Sequence, residues 1–194
     1  MIAETLSKSE TITELKPPIT GEMLFKLGDM GRTELVKGEI IYLSPTGHLH
    51  GFLESNFDRV LGAFVYQHKL GRVFVGEVGI YTHRNPDTVR AADVAFISRE
   101  RLAQVQSQSY LDVAPELIVE VLSPDDAWSQ LMEKLEEYFA IGVQMVWVAD
   151  PRRQQVYVYS SLTEVERFTM AEVLSGGKIL PGFSVPVAEL FAPE

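Results

Sequence analysis

Three acidic residues sit inside stretches that otherwise read as buried strand. Glu77 interrupts VFVGEVGIY, Asp93 interrupts RAADVAFIS, and Glu120 interrupts PELIVEVLSP, where Leu117, Ile118, Val119, Val121 and Leu122 are what a central strand needs. Burying an unpaired carboxylate is costly, so each acid calls for a partner. Strands adjacent in sequence commonly neighbour one another in space. Two or three of these carboxylates then converge on one face, and a hard divalent cation relieves their repulsion best. Oxygen ligands with retained waters suit Mg²⁺ or Mn²⁺.

Lys134 is the fourth piece. On a helical wheel for residues 125–142, Trp128, Leu131, Leu135, Tyr138 and Phe139 form a core-facing arc, and Lys134 falls at its edge beside Tyr138. Its stem can follow the core while its ammonium reaches the strand ends. Plainer alternatives stand beside each reading. Glu77 could lie on a solvated face, Asp93 could pair with Arg90, Glu120 could pair with an arginine, and Lys134 could snorkel at the surface.

The elements that must position these residues follow from patterning. Residues 20–30 read as a short helix with Thr20 as N-cap, and 33–45 as a hairpin around Lys37-Gly38. Leu49, Phe52, Leu53, Val60, Leu61 and Phe64 recur at helical spacing over 48–68, and Gly71 ends that helix. Strands follow at 72–82 and 90–98, then a loop or short helix over 99–114 and the Glu120 strand. A helix over 125–142 has Asp125 or Asp126 as cap and Gly142 as stop. Strands at 143–151, 155–161 and 167–173 precede an apolar stretch. The strand–helix–strand step over 116–150 implies a parallel crossover. The expected class is α/β or α+β, with a mixed sheet flanked by helices.

Composition narrows the rest. The chain has 194 residues, 46% of them hydrophobic, which suits one domain with a sizeable core. Residues 1–18 read as a loose arm and 19–194 as the domain. The absence of cysteine excludes disulfides and thiolate metal sites. Neither a signal peptide nor an apolar run of about 20 residues is present, so a cytoplasmic location is expected. The formal net charge of −10 counts against strong nucleic-acid binding, although a metal-filled cleft can be locally positive in an acidic protein.

Asp93 in a strand, then IVEVLSP, then a helix with Lys134, then GVQMVWVADP together resemble the Uma2 family, over roughly residues 18–190. That family is bacterial, abundant in cyanobacteria, and belongs to the PD-(D/E)XK nuclease superfamily. The resemblance implies a restriction-endonuclease-like core in the order α-β-β-β-α-β. It implies that Asp93 and Glu120 bind a divalent metal and that a lysine positions or activates water. Ala92 stands where the motif has proline, and Leu122 where it has its strand lysine, with Lys134 as the substitute. The resemblance makes His50 an accessory residue; the alternative is a capping or surface histidine.

The expected function is metal-dependent hydrolysis of DNA phosphodiesters. Asp93, Glu120 and Lys134 carry the reaction, with Asp93 and Glu120 as metal ligands and His50 and Glu77 as accessory residues. The rival is a non-catalytic partner-binding or assembly module on the same fold, and phosphate transfer on small substrates is a third. A homodimer or higher homo-oligomer is expected, with residues 178–191 either as its interface or packed on their own core.

Overall fold

The computed structural model describes residues 17–124 and 126–192. The expected arm therefore lies outside the described residues over 1–16, and so does Asp125. Pro18 already belongs to the folded part. A side chain on Gly38 would meet its Cβ at 2.3 Å, and the Ile19 amide donates to the Gly38 carbonyl.

The elements run α1 (Gly21–Lys26), β1 (Thr33–Val36), β2 (Glu39–Tyr42), α2 (His48–His68), β3 (Gly71–His83), β4 (Thr88–Ser98), α3 (Arg99–Leu102), β5 (Leu117–Val121), α4 (Trp128–Ile141), β6 (Met145–Asp150), β7 (Gln155–Tyr159), β8 (Val165–Thr169), β9 (Val173–Ser175), β10 (Ser184–Pro186) and α5 (Val187–Phe191). The expected order α-β-β-β-α-β is met by α2, β3, β4, β5, α4 and β6. Eight strands form one sheet in the order β2-β1-β4-β5-β6-β7-β8, with β3 on β4 as well. Among the described residues these strands pair antiparallel with one another except β5 with β6, the parallel pair that the α4 crossover requires.

A strand has two edges, and β4 has three partners. Strand β3 takes one edge along the length of β4. The other edge is divided: β1 pairs at Leu35↔Val89, and β5 pairs only from Val94↔Val119 to Phe96↔Leu117. Between them, residues 90–93 of β4 face a fork in the sheet.

Alternation in β5 sorts its side chains between two cores. Leu117, Val119 and Val121 join Leu53, Phe57, Leu61 and Val65 of α2, while Ile118 joins Leu131, Leu135 and Tyr138 of α4. The C-terminal stretch completes the first core through Leu180, Phe183, Val185, Val187, Leu190 and Phe191. It packs on its own chain, so residues 178–191 are not a free apolar interface.

Several boundaries differ from expectation. Lys69, in the left-handed conformation at φ 55°, ends α2; Gly71 instead opens β3, where a Cβ would meet the Ile97 carbonyl oxygen at 2.0 Å. Helix α4 starts at Trp128 behind Ala127, without a side-chain cap, because the Asp126 carboxylate accepts the Ser123 amide instead. Trp128 shares the helical stripe of Leu131 and Leu135 but, as the first residue of α4, is 58% exposed. The expected strand at 167–173 is two: β8, then a turn, then β9 in a separate pair with β10. No helix among the described residues is long and apolar enough to cross a membrane.

Candidate functional site

The fork leaves backbone groups of β4 and β5 without ladder partners, and buried backbone groups must be satisfied somehow. Charged side chains do this. The Ala91 amide donates to Glu34 Oε1 at 3.1 Å, and the Ala91 carbonyl accepts from Lys134 Nζ at 3.3 Å. Across the gap, the Val121 amide donates to Asp93 Oδ2 at 2.7 Å. The local break in the sheet thus gathers Glu34, Asp93, Glu120 and Lys134 at one point.

Glu120 is buried on the α4 side. Its Oε1 accepts the Tyr138 hydroxyl at 2.7 Å, and its Oε2 accepts from Lys134 Nζ at 3.1 Å. Tyr138 follows Lys134 by one helical turn, so one stretch of α4 delivers both donors. Lys134 Nζ also lies 3.0 Å from Glu34 Oε1. Burial pushes the Glu120 carboxyl up to about 7; Lys134 and Tyr138 oppose the shift, while Asp93 and Glu34 add to it. Burial also works against charge on Lys134, but Glu120, Glu34 and Asp93 outweigh it and hold the ammonium pKa above its ordinary value.

A second layer fixes the first. Arg90 donates from Nη1 to Glu34 at 2.9 Å and makes a two-pronged contact with Glu137 at 2.8 and 2.6 Å. Thr82 donates to the same Glu137 carboxylate. Arg90 is therefore a partner of Glu34 and Glu137, and not of Asp93.

On the other side, α2 presents His50 and Glu54 one turn apart, both buried. His50 is neither a cap nor a surface residue: its Nε2 lies 3.2 Å from Asp93 Oδ1, and its Nδ1 lies 3.3 Å from Ser123 Oγ. The Nε2 contact lacks hydrogen-bond alignment. Burial lowers the His50 pKa, but Asp93 and then Glu54 more than reverse this, so the ring holds a proton above its ordinary range.

Glu77 departs from a regular strand. Val75 pairs with Val94 and Val78 with Ala92, so Gly76 and Glu77 both oppose Asp93 in a bulge. Both take positive φ, 84° and 55°. The freed Gly76 amide donates to Glu54 Oε1 at 2.8 Å. The Glu77 carboxylate turns to Arg32, with Oε1 2.6 Å from Nε. Burial, followed by the charges of Asp93 and Glu77, raises the Glu54 pKa, against the pull of the Gly76 amide.

The cluster therefore holds Glu34, Glu54, Glu77, Asp93, Glu120 and Glu137 against Arg32, Arg90, Lys134 and the His50 ring, so carboxylates still outnumber the basic groups. That imbalance favours a further cation. Among the described residues no three His, Asp or Glu side chains are grouped closely enough to hold an ion. Glu120 spends both oxygens on Tyr138 and Lys134, and Asp93 spends one on Val121. Asp93 Oδ1, facing the unaligned His50 nitrogen, remains an oxygen donor of the hard kind that Mg²⁺ or Mn²⁺ takes alongside water. The donor set fits such an ion if Lys134 yields an oxygen of Glu120, and Glu34 stands ready to keep the ammonium.

The structure brings Asp93, Glu120, Lys134 and His50 together, with Glu77 at the margin. Glu34, Glu54, Arg90, Glu137 and Tyr138 were not singled out from sequence as site residues. Glu34 carries the same mark as the other three acids, a charge inside a strand, and Tyr138 shares the helical stripe beside Lys134. An open groove of about 680 Å³ beside α1, lined by Phe25, Tyr81, Arg84 and Asp112 among others, contains none of these groups.

No curated protein matches the chain. A crystal structure described as "a putative nuclease belonging to DUF820 from Anabaena variabilis" is similar in fold, with a TM-score of 0.75, 23% identity, and coverage of 90% of this chain and 98% of that one. The mixed sheet with α2 on one face and α4 on the other is thus a fold shared with that protein. The family model described as "Uma2: Putative restriction endonuclease" matches residues 22–188, the span that holds the whole cluster at the fork, and the chain belongs to the Uma2 family.

Proposed function

We propose that this protein is a metal-dependent nuclease that hydrolyses DNA phosphodiesters, with residues 19–194 acting as one domain. The observation that carries the reading is the meeting of Asp93 and Glu120 at the sheet fork with the ammonium of Lys134. The family model's description, "Putative restriction endonuclease", supports it. Asp93 and Glu120 would hold Mg²⁺ or Mn²⁺. When bound, such an ion supplies Lewis acidity toward the phosphoryl group and the attacking water. Lys134 orients that water and stabilises charge developing on the phosphoryl oxygens. Glu34 keeps Lys134 protonated and in place when Glu120 turns an oxygen to the ion, and Tyr138 holds the other Glu120 oxygen. His50 stands beside Asp93 with its Nε2 3.2 Å from Oδ1. A homodimer would place one such site on each strand of a duplex.

The test is digestion of supercoiled plasmid and single-stranded DNA at low ionic strength, with and without Mn²⁺, by the wild type and by Lys134→Ala. Cleavage that requires Mn²⁺ and falls sharply in Lys134→Ala is expected. If both proteins leave both substrates intact, or cut them equally, the nuclease reading is lost. The engagement of both Glu120 oxygens by α4 favours the second reading, a binding or assembly module in which the ion network only closes the fork.

A further inference from the structure

Arg32 has no part in the chemistry above, yet it reaches the cluster at the fork. Its Nη1 donates to the Ser44 carbonyl at 2.7 Å, and its Nε lies 2.6 Å from Glu77 Oε1. The second contact is close but misaligned: Nε is buried and makes no hydrogen bond. It is a Coulombic pairing rather than the forked one that a guanidinium makes with a well-placed carboxylate. The pairing also depends on a bulge that holds Glu77 at φ 55°, a region that non-glycine residues enter at some cost. Both side chains keep about a quarter of their surface in solvent, 26% and 23%. By contrast Arg90 and Lys134 are tied to carboxylates beneath. Arg32 is near enough to His50 to oppose that ring's protonation, so it stands on the Asp93 side of the fork.

From this geometry we infer that Arg32 is a substrate-binding residue, which grips a backbone phosphate of the nucleic-acid strand and is held in reserve by Glu77. The inference rests on the nuclease reading. A phosphate oxygen pair accepts from a guanidinium in the forked geometry that Glu77 does not provide. Binding exchanges one anion for another at Arg32, and the Ser44 carbonyl keeps the guanidinium aimed while the exchange takes place. In a chain of net charge −10, an arginine released only to a competing anion would also make affinity depend on that exchange.

The experiment is fluorescence anisotropy with a short fluorescein-labelled single-stranded oligonucleotide, in Ca²⁺ at low ionic strength, so that binding is read apart from cleavage. Arg32→Gln should weaken binding about tenfold, and Arg32→Lys, which keeps the charge, should still lose several-fold. Glu77→Gln should tighten binding several-fold, and Glu164→Gln, the same charge change on the far β7–β8 turn, should not. In the Arg32→Gln background the gain from Glu77→Gln should vanish. If the Arg32 variants bind like wild type, or Glu77→Gln gains equally without Arg32, the inference is overturned and the nuclease reading stands on plasmid cleavage alone. If no protein binds, Glu77→Gln included, the inference falls, and the nuclease reading is decided by the cleavage assay.

Discussion

Lys134 places its ammonium 3.1 Å from Glu120, so the cation that accompanies this buried acid comes from a helix and not from the strand that carries it. The two side chains are only 19% and 9% exposed, and breaking such a pair from one side leaves an uncompensated charge. Lys134→Ala should destabilise the metal-free protein by about 3 kcal/mol at neutral pH. Glu120→Gln should cost less, because Lys134 keeps Glu34. Urea denaturation of the two variants orders them, and equal losses would mean that Glu34 does not hold the ammonium.

Glu34 sets a pH dependence. Burial raises its pKa, but Lys134 and Arg90 reverse this and bring the folded value below the ordinary one. A carboxylate with a depressed folded pKa contributes stability that is fully present above the unfolded value of about 4.3 and is lost as pH falls through the folded value. Wild type should therefore lose stability toward acid more steeply than Glu34→Gln. Denaturation midpoints from neutral pH down into the acid range, compared between the two, would show parallel curves if the network did not depress Glu34.

Metal binding should be weak and confined to two carboxylates. Mn²⁺ titration by calorimetry should give one site in wild type and none in Asp93→Ala or Glu120→Ala, because two acids leave most of the coordination to water. Lys134→Ala should retain binding, since it frees an oxygen of Glu120. Unchanged heats in both acid variants would place the ion elsewhere.

The C-terminal stretch belongs to the core. Phe183 packs against Phe64 and Trp147 with ring centroids 5.3 and 5.9 Å apart. Phe183→Ala should cost about 3–5 kcal/mol. Light scattering should give the same mass for wild type and variant where both are folded, whereas dissociation of an oligomer would return these residues to an interface.

Much of the frame was legible without coordinates. An acid inside an otherwise apolar run marked Asp93 and Glu120, because burial of charge is rare enough for each instance to need a cause. The α4 period placed Lys134 beside Tyr138, and Gly142 in the left-handed conformation stops that helix as its type predicts. The Lys37-Gly38 turn and the β5–α4–β6 crossover were local or nearly local features, written in short-range pattern. The fork was not. It arises because β1 and β5, far apart in the chain, share one edge of β4, and no periodicity in either strand encodes that division. Glu34, Arg90 and Glu137 acquire their roles only there, where backbone groups without ladder partners and buried charges must satisfy one another. The bulge at Gly76-Glu77 is likewise a mismatch between two strands rather than a property of one. It brings the Glu77 carboxylate to Arg32 at the margin of the cluster, because side-chain direction follows register, and register is set by pairing across the sheet.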